Sequence, residues 1–253
     1  MKISIITAVF NRVGTIAQAM KSVQAQNYPL VEHVVQDGGS TDGTTDLVAQ
    51  VADESTKLVS ARDSGIYDAI NLGIRRATGD VIGLMHSDDF YAHDGVLSKV
   101  VDALADPSIA GVYGDLHYVS AENPDWVVRH WRSGHYEPSM LNFGWMPPHP
   151  TLYLRREVFE QFGLYDTSFS ISADYDAMLR YLVKGQIKLA YIPEVLVKMR
   201  LGGESNRSLE RILRKSREDL RAIRGNKVGG IGTLAAKNLR KLGQFIVKGQ
   251  KAK

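Results

Sequence analysis

Cysteine is absent from the 253 residues. That removes disulfide frameworks, thiolate zinc sites and cysteine nucleophiles from consideration, and it suits a reducing cytosol. Long apolar runs are missing too: none approaches the ~18–20 residues of a membrane-spanning helix. The apolar stretch at residues 3–10 contains Ser4 and Thr7 and runs into Asn11 and Arg12, so it reads as a buried strand and not as a signal peptide. Neither glycine fingerprint of the common nucleotide sites occurs. No Gly-x-Gly-x-x-Gly follows the first strand and there is no Gly-x-x-x-x-Gly-Lys-Ser/Thr, so neither an NAD(P) nor a Walker-type site is supported.

What is present is an ordinary globular composition, 44% hydrophobic and 23% charged, with chain enough for one large α/β domain or two small ones. The formal net charge of +3 conceals an asymmetry. Residues 1–206 carry 17 basic against 25 acidic side chains, and residues 207–253 carry 14 against 3. The expected organisation is therefore a domain at 1–206 and a basic helical extension at 207–253.

Apolar runs at 3–10, 31–36, 57–61 and 81–85 predict strands, and amphipathic stretches at 14–26, 45–51 and 67–77 predict helices between them. This β-α-β-α-β order implies a mainly parallel sheet covered by helices on both faces. Beyond it the pattern predicts a helix at 95–104, a strand at 111–119 and a polar, aromatic connection through Trp126, Trp131, His135 and Trp145. Then come a rigid extended Pro147-Pro148-His149-Pro150, a strand at 151–154, helices at 156–162 and 173–184, extended chain at 188–199 and a helix at 209–224.

In an open parallel sheet, ligands collect beyond the carboxyl ends of the strands. Those ends carry Asn11 and Arg12, then Asp37-Gly38-Gly39-Ser40-Thr41-Asp42, then Arg62-Asp63, then Ser87-Asp88-Asp89. Taken singly, each acid reads equally as a turn, a cap or a solvated side chain. Several carboxylates at one edge call for bound cations or donors, and Mg²⁺ or Mn²⁺ is the simplest cation, because it takes one or two protein carboxylates and completes its shell with phosphate and water.

In order and spacing, the segments Thr7-Ala8-Val9-Phe10-Asn11, Val35-Gln36-Asp37-Gly38-Gly39-Ser40-Thr41-Asp42-Gly43-Thr44, Asp63-Ser64-Gly65-Ile66-Tyr67-Asp68-Ala69-Ile70-Asn71-Leu72-Gly73 and Ala77-Thr78-Gly79-Asp80, leading to Ser87-Asp88-Asp89, resemble glycosyltransferase family 2. The resemblance covers residues 1 to about 205. It implies a GT-A fold and transfer of a sugar from a nucleotide diphosphate sugar, most simply a UDP-sugar, with inversion and with Mg²⁺ or Mn²⁺. Under it Asp37 matches the carboxylate that binds the nucleotide base, the segment around Thr7 and Asn11 lines the same pocket, and Asp63 and Asp68 match a second acidic element nearby. Ser87-Asp88-Asp89 takes the Asp-x-Asp position with its first acid replaced: Asp88 is expected at the ribose or metal, Asp89 at the metal and diphosphate. Asp174 matches the general base, with Ala173 where the family usually has Glu, and Asp176 is its neighbouring competitor. Arg200-Leu201-Gly202-Gly203-Glu204-Ser205 resembles a closing region in which Arg200 meets phosphate, and His149 stands either beside the reactants or as a structural histidine.

The extension, with Arg211, Arg214, Lys215, Arg217 and Arg221 beside Ile212 and Leu213, lacks the aromatic platform of a nucleic-acid site. An anionic membrane surface is the partner it suits, as for an enzyme acting on a lipid-linked or other saccharide acceptor; a helix packed on the domain is the alternative. Two other functions use the same features, a nucleotide-sugar-binding module with weak or no catalysis and a sugar nucleotidylyltransferase. The latter lacks its Gly-rich first loop.

Overall fold

Strand β1 (Ile3–Val9) is buried on both faces, as expected of a central parallel strand, and its alternation decides what covers each face. Ile3 and Ile5 meet helices α1 (Ile16–Gln24) and α4 (Val96–Ala103), whereas Ile6 and Ala8 meet helix α3 (Ile66–Arg76) on the other side. The protein is described by a computed structural model over residues 1–201, 209–242 and 250–251. Strands β2 (Val31–Asp37), β3 (Thr56–Ser60) and β4 (Val81–Leu84) run parallel to β1 in the order β3-β2-β1-β4, with α2 (Thr44–Val51) between β2 and β3. Close packing of α3 on β1 depends on Gly73, where an added Cβ would stand 2.4 Å from Ile6 Cγ2.

Beyond β4 the sheet becomes mixed. Strand β5 (Phe90–Tyr91) follows the Ser87-Asp88-Asp89 turn, and β6 (Gly111–Val119), β7 (Trp126–Trp131) and β8 (Tyr153–Arg155) extend the order to β7-β6-β8-β4. The long β9 (Leu189–Arg200) runs parallel to β6 and antiparallel to β5, so its end lies against the turn. Helices α5 (Arg156–Phe162) and α6 (Ala173–Leu179) join the α3 face of the core. At the end, α7 (Leu209–Gly225) and α8 (Ile231–Leu242) are followed by β10 (Gln250–Lys251), which pairs with β7.

Three local expectations are corrected. Residues 126–131 form a strand between β6 and β10, in which Trp126, Val127 and Val128 alternate exposed, buried and exposed. The Pro147–Pro150 stretch turns into a 3₁₀ turn at His149–Thr151, closed by the bond from Thr151 N–H to the Pro148 carbonyl. The helix expected to run to residue 184 ends its α geometry at Leu179 and continues as a π-turn, Arg180–Lys184, with Gly185 N–H donating to the Arg180 carbonyl. The extension expected from residue 207 packs on the core over its described part: Ala222, Ile223 and Val228 join the cluster of α3, α5 and α6. No helix among the described residues is long and apolar enough to cross a membrane.

Candidate active site

The carboxyl ends of β1, β2 and β3 open into a cleft of about 810 Å³, with Ser87 beyond β4 on its wall. It lies where the strand order reverses, and its volume falls in the range of cofactor and substrate pockets. Phe10, Asn11 and Arg12 come from the end of β1, Gly38, Gly39 and Thr41 from the β2 loop, Arg62 and Asp63 from the β3 loop, and Ile66 and Ala69 from α3.

Asp37 is the keystone of the β2 loop. It accepts the N–H groups of Gly39 (3.1 Å) and Ser40 (3.1 Å) and the hydroxyls of Ser40, Thr45 (3.0 Å) and Ser60 (2.6 Å). Burial works to raise its pKa, but these bonds hold the carboxyl below the usual range. Both oxygens are therefore engaged within the protein, and the surface offered to a ligand is that of Gly38, Gly39 and their neighbours. Gly38 leaves room for Asp63: a Cβ there would stand 2.6 Å from Asp63 Oδ2 and displace that side chain.

Asn11, at φ 50, stitches the β1 and β2 loops together. Its N–H donates to Ser40 Oγ (2.8 Å) and its Oδ1 accepts the Thr41 N–H (2.9 Å). Thr7 lies below the cleft floor, fully buried, its hydroxyl donating to the Met85 carbonyl and bonded to His33. Asp63 lines the cleft, with Oδ1 accepting the Gly65 N–H (2.9 Å). Asp68, in the first turn of α3, reaches back to the Ser64 N–H (3.0 Å) and braces the helix start.

Beyond β4 the two acids differ sharply. Asp88 is half-buried, whereas Asp89 is fully buried, with Oδ1 accepting the Arg200 N–H (3.2 Å) and Oδ2 accepting no hydrogen bond. Burial, and then the charge of Asp88, push the Asp89 carboxyl well above the usual range, against the pull of Arg200. The Arg200 guanidinium lies over the Phe90 ring, donates to the Asp88 carbonyl (2.6 Å) and bonds to Gln18. Arg200 thus clamps the acidic turn to α1, and its guanidinium is turned to the protein. The rest of the expected closing region, Gly202 to Ser205, lies outside the described residues.

A buried, unpartnered carboxylate oxygen next to a second, accessible carboxylate fits half of a hard-cation site, the other ligands being phosphate and water. No group of three or more His, Asp or Glu side chains among the described residues could hold a metal unaided.

Asp174 sits half-buried in the first turn of α6, its Oδ1 accepting the Tyr67 hydroxyl (3.1 Å). Tyr67 stands between Ile66 and Ala69 of the cleft wall, so α3 joins the cleft to Asp174. His149 approaches from its 3₁₀ turn, bonded through Nε2 to the Tyr165 hydroxyl (2.9 Å), and its ring lies 5.9 Å from that of His86. Burial draws His149 down to about 4 and also lowers His86, against the charge of Asp174 on both. Both rings are neutral at pH 7. Burial raises the Asp174 carboxyl, but His149 first, then Lys215, Lys237 and the Tyr175 N–H, bring it below the usual range. With His149 neutral, the cations that act at pH 7 are Lys215 and Lys237. Asp176 is engaged elsewhere, by Arg180 (3.4 Å) and the Asn226 amide (2.9 Å).

The sequence reading missed His86, whose place beside Asp174 comes from the fold alone, and did not single out Arg62 on the cleft wall. The latter was signalled by its position after the third strand.

The family model described as glycosyl transferase family 2 matches residues 4–174. An uncharacterized glycosyltransferase of Mycobacterium tuberculosis is 29% identical over 187 residues, covering 70% of this chain and 68% of that protein. A PGL/p-HBAD biosynthesis glycosyltransferase of Mycobacterium bovis is 28% identical over 208 residues, covering 80% and 78%. Among solved structures, a mannosyltransferase from Pyrobaculum calidifontis in complex with GDP-Man and Mn²⁺ superposes with a TM-score of 0.67 at 20% identity, covering 93% of this chain and 68% of that one. S. aureus TarS in complex with UDP-GlcNAc gives 0.66 at 14% identity, covering 90% and 66%. The fold is that of the GT-A glycosyltransferases.

Proposed function

The chain belongs to glycosyl transferase family 2, and from that premise we propose that it moves a sugar from a nucleoside diphosphate sugar to an acceptor hydroxyl in one inverting displacement, with Asp174 as the base. The observation that carries this reading is the carboxylate of Asp174, accessible, oriented by Tyr67 and one helix away from the cleft. A base must be ionised and within hydrogen-bond reach of the proton it takes. As the acceptor oxygen bonds to the anomeric carbon, the bond from that carbon to the diphosphate breaks; the hydroxyl proton passes to Asp174 and the nucleoside diphosphate leaves.

The cleft divides the donor among its walls. With both Asp37 oxygens engaged, Asp63 is the carboxylate left to accept a base N–H, and Phe10 and Ile66, 57% and 49% exposed, offer apolar surface. That set suits the uracil of a UDP-sugar. Asn11 holds the two loops in register, and Arg12 and Arg62 supply positive charge for the diphosphate. Mg²⁺ or Mn²⁺ would be held by Asp88 and Asp89, where it would neutralise the charge growing on the leaving group. Arg200 keeps that turn in place.

A lipid-linked saccharide is the acceptor we favour, with the enzyme resting on an anionic membrane face. Support comes from the first turns of α7, where Ile212 and Leu213 are exposed (53% and 57%) between the exposed Arg211 and Arg214.

The test is a panel of UDP-, GDP- and dTDP-sugars screened by thermal shift with and without Mn²⁺, followed by transfer assays on wild type and Asp174→Asn. We expect one donor to give a metal-dependent shift in both proteins, with transfer lost only in the variant. Transfer at the wild-type rate by Asp174→Asn would remove the base assignment. Donor binding by the wild type without transfer or hydrolysis would leave a binding module.

A further inference from the structure

We propose that α7 and α8 belong to the catalytic apparatus, with Glu218, Asp219 and Lys237 as positioning residues that fix the place and the ionisation of Asp174. This rests on the reading of Asp174 as the base. The loop that delivers α6 presents three successive N–H groups, those of Ser170, Ile171 and Ser172, and all three donate to the Glu218 carboxylate, at 3.1, 2.8 and 2.9 Å. Successive amides of this kind form an anion nest. Here the anion comes from a helix whose sequence lies 46 to 48 residues further on. Ser172, the residue that opens α6, gives its hydroxyl to Asp219 Oδ1 (2.8 Å) and so ties the base's own helix start to α7.

Asp219 is 1% exposed and meets Lys237 Nζ of α8 at 2.9 Å and Lys215 at 3.8 Å. Lys237, 3% exposed, also lies 3.2 Å from the centre of the Tyr175 ring, the residue after the base. A fully buried ion pair is costly to build and is a poor device for stability alone. Placed under the first turn of α6, it does something an apolar pair could not: together with Lys215 it sets two ammonium groups against the single carboxylate of Asp219 beneath the base.

The groups facing Asp174 can be taken element by element. Tyr67 comes from α3, Tyr165 from the segment before α6, His149 from its 3₁₀ turn and His86 from the end of β4; Lys215 comes from α7 and Lys237 from α8. The tyrosines are pushed up by burial and the histidines down, so all four are neutral at pH 7. Among the described groups the two lysines of the extension are the cations there at pH 7, set against the Asp219 and Glu218 carboxylates of α7, and their positive charge favours the Asp174 carboxylate.

The experiment is the pH profile of kcat for the full chain, with transfer to acceptor as the readout and donor binding followed separately by thermal shift. In Lys237→Met, loss of the cation should move the acid limb of kcat to higher pH, with donor binding kept; Lys237→Arg should restore the wild-type limb. Glu218→Ala should lower kcat by about tenfold or more at unchanged donor KM, since the loop is then free to displace the base. Lys215, half-exposed, gives a second variant that does not threaten the core: Lys215→Met should move the same limb in the same direction by less. A wild-type limb in Lys215→Met, and in Lys237→Met where it folds, overturns the electrostatic role. Equal losses of kcat and donor affinity in Glu218→Ala overturn the positioning role. Retention of transfer by Asp174→Asn would instead remove the premise, so the two failures are distinguishable.

Discussion

Glu32 offers the sharpest test of how the sheet is held together. It stands 2% exposed in β2, near the ends of the strands opposite the cleft, where its carboxylate meets Lys2 Nζ and Lys57 Nζ, both at 2.8 Å. It also accepts from Ser4 Oγ (3.0 Å), from the Thr78 N–H (2.8 Å) and from the Thr78 hydroxyl. Glu32→Gln keeps the shape but leaves an amide facing two ammonium groups. Removing one partner of a buried pair costs about 3–5 kcal/mol. Here the lysines are 40% and 51% exposed and can regain water, so we expect about 2–3 kcal/mol, or a fall of about 5–10 °C in Tm for a chain of this length. Burial raises the Glu32 carboxyl, but its bonds to Lys2, Lys57 and Thr78 outweigh that and draw it far below the unfolded value of 4.5. A depressed folded-state pKa means that the stabilisation is complete above about pH 4.5 and is lost as the pH falls below it. The difference in Tm between wild type and variant, followed by circular dichroism, should therefore be full at pH 7 and shrink toward pH 3, with donor binding intact. A difference below about 1 °C at pH 7, or one that does not change down to pH 3, would refute the reasoning.

Gly73→Ala sets a helix-propensity gain of about 1 kcal/mol against overpacking of about 1–3 kcal/mol at Ile6 Cγ2, and urea unfolding should show a net loss. Asp37→Asn turns one acceptor of the β2 loop into a donor, so calorimetric donor affinity should fall by about tenfold, more than any fall in Tm explains. Asp176→Asn, at a carboxylate bonded to Arg180 and the Asn226 amide, should lose some stability in urea and keep transfer, the opposite outcome to Asp174→Asn. Arg200→Lys gives up the planar clamp between the Asp88 carbonyl and Gln18, and metal-dependent donor binding should weaken while the base-dependent pH limb stays in place.

The first half of the fold was legible because its information is local. Period-2 and period-3.6 patterns in residues 1–85 are each written within a single element, and the carboxylates of interest follow directly after strands. Strand β7 was hidden by Arg129 and His130, which break the apolar run after its first three residues. What each acid does was not legible either, because that depends on partners far along the chain. Asp37 is engaged by Ser60 as well as by its own loop, and Asp174 is held by Tyr67, 107 residues away. Thr7 sits in the family-like segment, but strand alternation turns it toward His33 and away from the cleft. The basic extension illustrates the same limit. Its composition suggested a charged surface for an external partner, yet Lys237 is buried against Asp219 and Tyr175, a role that composition cannot express.

Two carboxylates near the proposed reaction centre are pushed in opposite directions, and the contrast suits the division of work proposed for them. Asp89 is fully buried beside the charge of Asp88, with one oxygen unpartnered, and its carboxyl is pushed well above the usual range, as the proposed cation ligand would be before the cation enters. Asp174 is half-buried, bonded to Tyr67 and faced by His149, Lys215 and Lys237, which hold its carboxyl below the usual range. A base must be ready before the acceptor arrives, whereas a ligand to the leaving group's counter-ion has to act only when donor and cation enter together. Separated environments of this kind are how one site runs both ends of a displacement at neutral pH. They also bear on why one acidic edge tolerates so many carboxylates: Asp37 is satisfied by its own loop and Ser60, and Asp68 by the Ser64 N–H, which leaves Asp63, Asp88 and Asp174 for the proposed reactants.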